Sequence, residues 1–314
     1  RNSIRILVLI NLFVDFLSFE ARICLYPTSC QGVSFVKTFS KDKSYATNAS
    51  IRERIITSMK DLHSIGYPIR NINNIKTKHI EALISHWKDK ELSTGTIKNR
   101  MSDFRFITKA MGKTNMVADA NKTYDIPNRS HIPTENKAIA DINLDKFKNE
   151  HLRASIELQK EFGLRREECI KIIPSKALYT DPYGNKYLKL DPSWTKGKVG
   201  RTIPIRNESQ VHAIENAKVV AQGKSLIPDK TFIQQRKYYD RVTREQGYYN
   251  LHGLRHAYAQ TRYKEITGWE SPINGGPLRK DLTPSQKELD NQARLWISQE
   301  LGHSRASITK NYIG

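Results

Sequence analysis

The first part of the chain is dominated by apolar residues that recur every three or four positions, the spacing of an amphipathic helix. Three such faces run through residues 51–62, 80–87 and 97–107, with polar residues between the apolar ones. A small polar residue that can cap or open a helix stands before each face. We therefore predict three helices, and the residues predicted to begin them are Ser50, Thr77 and Ser93.

Past residue 136 the pattern changes to a mixture of helices and short strands. Residues 144–162 keep helical spacing, whereas 177–191 hold two short runs around the turn sequence Asp-Pro-Tyr-Gly-Asn, which predicts a hairpin. Residues 201–205 can add a third strand, and helical spacing returns after residue 207. The predicted fold is mainly α-helical with one small antiparallel β-sheet.

The charge balance favours a polyanionic partner. The 314 residues include 52 Lys and Arg against 32 Asp and Glu, a formal net charge of +20, and no single block of like charge accounts for the excess. A basic excess spread along a folded chain indicates a broad positive surface, which suits nucleic acid because each phosphate contact uses a cation. A membrane surface is the competing interpretation of the same charge.

The domain organisation follows from a stretch that loses periodicity and gathers Asn, Pro, Thr and Ser, which is typical of a linker. We divide the chain into an N-terminal extension (1–44), a helical DNA-binding domain (45–115), a linker (116–136) and a larger second domain (137–314). Two domains joined in this way could close around a duplex as a clamp.

Two features bear on cellular location. The extension contains an apolar segment, residues 4–19, which is short for a membrane span and has Asp15 at its middle, so we predict no membrane partner. The three cysteines, Cys24, Cys30 and Cys169, form no CxxC pair and indicate neither a zinc site nor a disulfide framework. This pattern favours a reducing, cytoplasmic compartment, where the chain would associate with the nucleoid.

Two clusters of polar residues in the second domain carry candidate chemistry but are weak signals alone. In FGLRREE, Arg165 and Glu168 are three residues apart and would share a helix face, so the carboxylate could orient the guanidinium. In WTKGKVGR, Lys196 lies at the edge of a predicted turn. Taken alone, Arg165 and Glu168 could be an ordinary surface ion pair, and a solvated turn lysine is the better interpretation of Lys196.

Two further clusters are more specific. In NLHGLRH, His252, Arg255 and His256 share a helix face, and the arginine favours an anion site over a metal site. In LGHSRASITKNY, His303 and Tyr312 lie near the end of the chain. Arginines that grip phosphate oxygens, a tyrosine that attacks, and a lysine or histidine that supplies a proton are together the groups that phosphoryl transfer without metal requires.

The order of these motifs resembles the tyrosine recombinase (phage integrase) family. The motifs GLRxxE, TK before a strand, HxLRH and LGHxxxxxTxxxY follow one another as in that family. The resemblance covers residues 135–314 by motif and 45–112 by architecture, since a helical core-binding domain normally precedes the catalytic domain. It implies site-specific DNA strand exchange, such as integration and excision of a mobile element, with no metal or nucleotide cofactor. The implied partners are double-stranded DNA, further copies of the chain in a tetrameric synaptic complex, and accessory DNA-bending or directionality proteins.

The resemblance also implies a role for each matching residue. Arg165 and Arg255 would bind the scissile phosphate, and Tyr312 would form a 3′-phosphotyrosyl link. Three further residues would handle protons and phosphate oxygens: Lys196 as general acid toward the 5′-hydroxyl leaving group, His252 as a phosphate ligand that assists proton transfer, and His303 as a donor to a non-bridging oxygen. The supporting residues are Glu168 and His256.

Cations on the outer face of the third helix and around the predicted turn are candidates for contacts with the DNA backbone. A solvated face with no ligand is the alternative for each of them. These residues are Lys98, Arg100, Arg105, Lys109, Lys198 and Arg201.

One departure from the family pattern is an extra stretch in the second domain. Arg255 and Tyr312 are 57 residues apart, longer than the compact spacing usual in the family. The added residues are 266–292, whose Pro and Gly content predicts an inserted loop.

Two other functions fit the same residues. One is relaxation of DNA in the manner of a type IB topoisomerase, which uses the same chemistry without a defined site. The other is DNA binding by a chain that has lost catalysis, against which the complete residue set argues.

Overall fold

The computed structural model describes residues 43–130 and 132–314. The predicted extension 1–44, with its apolar segment, therefore lies almost wholly outside the described residues. Among the residues described, no helix is both long enough and apolar enough to cross a membrane. The chain divides after Arg129 into two compact units.

The first unit is a small helical domain with helices α1 (Tyr45–Ser64), α2 (Thr77–Asp89) and α3 (Thr94–Ala110). Its core holds the fully buried Trp87 and Phe104, whose ring centroids are 6.3 Å apart. The indole Nε1 of Trp87 donates a hydrogen bond of 2.9 Å to Asp61 Oδ2, so this large side chain is buried without an unpaired polar atom.

Helix α2 begins at Thr77 and α3 is capped by Ser93, as predicted. Helix α1 begins earlier than the predicted Ser50, because Ser44 is its N-cap and accepts a 3.2 Å hydrogen bond from the Thr47 amide. The residues of its first turn are mostly exposed, so they carry no apolar spacing from which the start could be predicted.

The stretch 116–136, predicted as a linker, is divided between the two units. Val117 and Ile126 are buried in the core of the first unit. Asn136 instead donates to Asn274 Oδ1 at 2.6 Å within the second unit. Much of this polar stretch is therefore folded against one unit or the other.

The second unit packs helices around one small sheet, and the predicted fold class is confirmed. The three strands pair antiparallel in chain order, and Leu188 and Ile203, which face each other in register, are both fully buried. The elements are α4 (Glu150–Phe162), α5 (Arg166–Lys171), α6 (Pro174–Ala177), β1 (Leu178–Thr180), β2 (Lys186–Leu190), β3 (Arg201–Pro204), α7 (Glu208–Ala221), α8 (Phe232–Glu245), α9 (Gly253–Thr267), α10 (Pro284–Glu300) and α11 (Lys310–Ile313).

Two helix starts differ from the sequence expectation. Helix α4 begins after the N-cap Asn149, later than predicted. Within the predicted loop 266–292, only residues 268–283 lack a long helix, because α9 runs to Thr267 and α10 already begins at Pro284. Thr283 and Gln286 cap that helix reciprocally, and a proline at the first position is compatible with a helix start. Composition had favoured a loop where the local capping pattern specifies a helix.

Candidate active site

Polar side chains from four separate segments of the second unit meet in one cluster. Helix α4 ends at Gly163, and Arg165 is the N-cap of α5 directly after it. Helix α9 carries Arg255 in its first turn. The segment after α10 supplies His303, and the short helix α11 supplies Tyr312.

Gly163 makes the close approach of two of these segments possible. Its φ of +59° lies in the left-handed region that favours glycine, and an added Cβ would lie 2.6 Å from the ring of Tyr258. The carbonyl of Gly163 accepts a 2.6 Å hydrogen bond from Arg255 Nη1. The glycine of the Gly-Leu-Arg motif therefore helps to hold the arginine of α9 in place.

Arg255 is completely buried, with 0% of its surface exposed. Its Nη1 donates to the Gly163 carbonyl and its Nη2 to the carbonyl of Leu301, so backbone groups on both sides fix the guanidinium. Burial lowers the pKa of Arg255 to about 10, which leaves the group charged at neutral pH. A fixed buried cation of this kind is suited to stabilise charge on an anionic ligand.

The hydroxyl of Tyr312 lies between Arg255 and His303. Arg255 Nε donates to Tyr312 Oη at 3.3 Å, and His303 Nε2 lies 3.2 Å from the same oxygen. Nη2 of Arg255 also lies 3.2 Å from His303 Nε2. Because a guanidinium can only donate, we assign Nε2 as the unprotonated ring nitrogen, toward which the Tyr312 hydroxyl donates.

The backbone around Tyr312 is also fixed. Its carbonyl accepts a 2.9 Å hydrogen bond from Gln260 Nε2, which lies on α9 beyond Arg255. Ile313 is completely buried, and Arg294 Nη1 donates to the Gly314 carbonyl at 3.1 Å. The same helix thus carries Arg255 and helps to hold the segment that bears Tyr312.

Glu168 is a fully buried carboxylate between two arginines. Arg165 donates from its backbone amide and from Nη1, at 2.8 and 2.7 Å. Arg201 donates from Nη1 and Nη2, at 2.9 and 2.7 Å. Burial alone would raise the pKa of Glu168, but the hydrogen bond and charge of Arg201 and the charges of Arg165 and Arg255 lower it to about 2. The carboxylate is therefore ionised, and it orients Arg165 as the sequence predicted.

Arg201 does not lie where the sequence analysis expected it. We predicted a DNA contact, but only 6% of its side chain is exposed, because the bidentate ion pair with Glu168 draws it inward. Strand periodicity was the signal that could have placed it, since Arg201 and the fully buried Ile203 are two residues apart on β3 and share a face.

His252 and His256 both lie beside the ring of Tyr312. The ring centroids of His256 and Tyr312 are 4.7 Å apart, and those of His252 and Tyr312 are 6.1 Å apart. Burial, followed by the charges of His252, Lys137 and Arg255, lowers the pKa of His256 to about 4. Burial and the charges of three arginines likewise lower the pKa of His303 to about 3. Both rings are therefore neutral at pH 7.

The depressed pKa of His256 predicts that the folded protein loses stability in mild acid. The unfolded chain binds a proton at His256 near pH 6.5, whereas the folded chain does so only near pH 4, so the free energy of unfolding falls as the pH drops between these values. The contribution of this one side chain is on the order of 3 kcal/mol. Urea unfolding from pH 7 to pH 4 measures it, and His256→Gln should flatten part of the slope.

His212 provides a control for that measurement, because 75% of its side chain is exposed beside Glu157. Because substitutions of exposed side chains usually change stability little, His212→Gln should change the free energy of unfolding by less than about 0.5 kcal/mol. An equal flattening by both substitutions would contradict the burial of His256 as the cause.

The lysines predicted near the turn lie at the surface of the second unit. Lys196 and Lys198 are exposed in the segment between β2 and β3. The hydroxyl of Thr195 donates to the Val199 carbonyl at 2.8 Å, which closes the turn that presents them. The general-acid role of Lys196 therefore stays a prediction.

The cations predicted on α3 have unequal surroundings. Arg100 is not on an outer face: it pairs with Asp61 at 2.7 Å, lies over the Trp87 ring at 4.9 Å, and leaves only 12% of its side chain exposed. Arg105 donates to the Ala118 carbonyl at 2.7 Å, and so holds the chain after α3. Both arginines stabilise the first unit. The other two cations, Lys98 and Lys109, are half-buried and exposed respectively.

Comparisons with known proteins find matches in both parts of the chain. The family model described as "Phage integrase, N-terminal" matches residues 36–117, and the model described as "Integrase" matches residues 127–261. No curated protein sequence matches the chain.

Two solved structures of lambda integrase have a similar fold. The dimer bound to a COC′ core site has a TM-score of 0.55 and 15% sequence identity, over 88% of this chain and 73% of that one. The tetramer bound to a Holliday junction has a TM-score of 0.50 and 16% identity, over 85% and 72% of the two chains. At this identity the likeness shows the fold. The two family models, which match residues 36–117 and 127–261, show that the chain belongs to the tyrosine recombinase (phage integrase) family.

Proposed function

We propose that the protein is a site-specific DNA recombinase that cleaves and rejoins strands through a phosphotyrosyl link to Tyr312. The observation that carries this proposal is the position of the Tyr312 hydroxyl within hydrogen-bond distance of Arg255 and His303 of the same chain. A tyrosine beside a buried cation is placed to attack a phosphate bound by that cation.

In the first step, Tyr312 Oη attacks the scissile phosphorus, and the bond from phosphorus to the 5′-oxygen breaks. The tyrosine proton passes to His303 Nε2, whose pKa rises when the negative phosphate arrives beside it. Lys196 gives a proton to the departing 5′-oxygen. The protein is then joined to the 3′-phosphate, and a 5′-hydroxyl of a second strand reverses the step.

Arg165 and Arg255 neutralise the charge on the phosphate oxygens during this exchange. Arg165 keeps donors for this purpose, since only one of its guanidinium nitrogens is bonded to Glu168. Arg255 is buried beneath Tyr312, so phosphate contact requires a local shift of the short helix α11.

The partners follow from the same proposal. Lambda integrase has been solved as a dimer on a core site and as a tetramer on a Holliday junction, which supports double-stranded DNA as the substrate and a homotetramer as the assembly that exchanges strands. The net charge of +20 supports binding to the DNA backbone. We propose that the reaction integrates and excises a mobile element in the cytoplasm.

A suicide-substrate trap tests the proposal. The probe is a nicked duplex made from the two ends of the mobile element that carries the gene, so that the short cleaved fragment diffuses away and the adduct persists. We expect an SDS-resistant adduct, with the DNA mapped to the peptide that contains Tyr312. An adduct on another residue, or binding without any adduct, would overturn the assignment.

A plasmid assay separates recombination from topoisomerase activity. Supercoiled DNA without the element ends should stay supercoiled, because strand exchange needs a defined site. Rapid relaxation of that plasmid over many turnovers would favour the type IB topoisomerase function instead.

A further inference from the structure

We propose that Arg201 is a positioning residue for DNA cleavage, which holds Glu168 and the His303 segment so that Arg165 and Arg255 face the phosphate. This inference rests on the proposed recombinase function. Arg201 does not reach the reacting atoms itself, and it would act through the side chains that it orients.

The first contact that carries the inference is the pairing of Arg201 with Glu168. Each carboxylate oxygen of Glu168 accepts one hydrogen bond from Arg201 and one from Arg165, so the buried group is saturated. Without Arg201, two acceptor positions on a buried carboxylate would lack donors. Arg165 has the nearest spare donors, and it would turn inward to supply them.

The charge of Arg201 has a second effect on the site. Glu168 is a full negative charge in contact with Arg165, so it would offset the cation meant for the phosphate. Arg201 compensates that charge through an ion pair of 2.7 Å that is nearly closed to solvent. The cluster of Arg165, Arg255, Arg201 and Glu168 then keeps a positive excess, which favours a phosphate diester.

The other end of the Arg201 guanidinium reaches the opposite side of the site. Its Nε donates to the Glu300 carbonyl at 2.7 Å. Gly302, with φ of +66°, packs so closely that an added Cβ would lie 2.9 Å from Arg201 Cδ. The adjacent Leu301 carbonyl accepts from Arg255, and His303 follows in the chain. Arg201 therefore joins the segment that carries Arg165 to the segment that carries His303.

The test compares single-turnover cleavage of the nicked duplex at saturating protein with binding of the same duplex. The variants are Arg201→Gln, Arg201→Lys and the pair Arg201→Gln with Glu168→Gln. Arg262→Gln is the matched control, because Arg262 is also nearly buried (14% of its side chain is exposed) and pairs with Glu300 at 3.1 Å but contacts none of the phosphate-binding groups. All rates are measured at a temperature where circular dichroism shows each variant folded.

We expect Arg201→Gln to slow cleavage by about 10- to 100-fold, the range for residues that act through another side chain, while the dissociation constant of the duplex changes by less than about twofold. Arg201→Lys should slow cleavage less than Arg201→Gln does, since lysine keeps the positive charge. Adding Glu168→Gln should restore part of the rate, because a neutral amide no longer draws Arg165 inward. Arg262→Gln should cleave at the unchanged rate.

Four results would overturn the inference. A rate unchanged by Arg201→Gln, with only a lower melting temperature, would mean that the residue is merely structural. Equal losses of rate and affinity, with no recovery in the paired variant, would make it a DNA contact. Failure of the unchanged chain to form any adduct would overturn the recombinase function, and this inference with it. If Arg201→Gln does not fold, a folded Arg201→Lys with an unchanged rate would overturn the inference equally.

Discussion

Tyr312→Phe should abolish covalent attachment to DNA while DNA binding persists. The substitution removes one oxygen atom, and with it the only group of this side chain that could form a bond to phosphorus. The ring keeps its contact with His256, and the backbone hydrogen bond from Gln260 is untouched. We therefore expect a folded protein that shifts the nicked duplex in a gel but gives no SDS-resistant adduct.

Tyr263→Phe is the matched control for this experiment. Tyr263 is fully buried, and its hydroxyl donates to Asp290 Oδ1 at 2.7 Å and not to Arg255 or His303. This variant should lose stability by about 1 kcal/mol and still form the adduct at the unchanged rate. A persistent adduct with Tyr312→Phe would show that the nucleophile is another residue.

Arg255→Gln should lower the cleavage rate by about 10²- to 10³-fold or more, the loss seen when a donor to a developing oxyanion is removed. Stability should also fall, by about 1–3 kcal/mol for each carbonyl left without a donor, here those of Gly163 and Leu301. Single-turnover trapping and urea unfolding measure the two effects separately.

Arg100→Gln separates these two effects of Arg255→Gln. Arg100 is a nearly buried arginine of the first unit, so its loss should lower stability but leave the cleavage rate of the folded protein unchanged. If both variants lost cleavage in proportion to stability, the special role of Arg255 would be contradicted.

A mixture of Tyr312→Phe and Arg255→Gln chains tests whether one chain supplies the whole site. Arg255 Nε and Tyr312 Oη lie 3.3 Å apart within one chain. A chain that lacks one of these groups should therefore not regain cleavage from a second chain that lacks the other. Recovered cleavage in the mixture would mean that the tyrosine acts on a phosphate bound by a partner copy.

The sequence predicted most of the cluster because motif spacing restricts where side chains can point. Because they are spaced three and four residues apart, His252, Arg255 and His256 share one face of α9 wherever that helix begins. The structure places the rings of both histidines beside the ring of Tyr312. Contact between Arg255, His303 and Tyr312 depends on segments far apart in the chain. The resemblance to the family suggested that contact, whereas local spacing could not.

The predictions that the structure contradicts, for Arg100, Arg201 and the start of α10, all rest on composition. Arg100 and Arg201 were counted as surface cations in a basic chain, but each has a buried carboxylate or aromatic partner that only the tertiary fold brings near. The proline at the start of α10 is typical of a loop by composition, but Thr283 and Gln286 beside it specify a helix cap. A partner distant in sequence determines the burial of each arginine, and a local capping pattern determines the start of α10. The average composition of the surrounding residues shows neither.

The buried arginines also affect how salt should influence DNA binding. Arg100 and Arg201 are two of the 52 Lys and Arg residues, yet each pairs with a carboxylate and exposes 12% or less of its side chain. Affinity falls with salt according to the number of counterions that protein cations displace from the phosphates. Cations neutralised inside the protein displace none, so the salt dependence will report the exposed lysines and arginines and will be shallower than the total of 52 cations suggests.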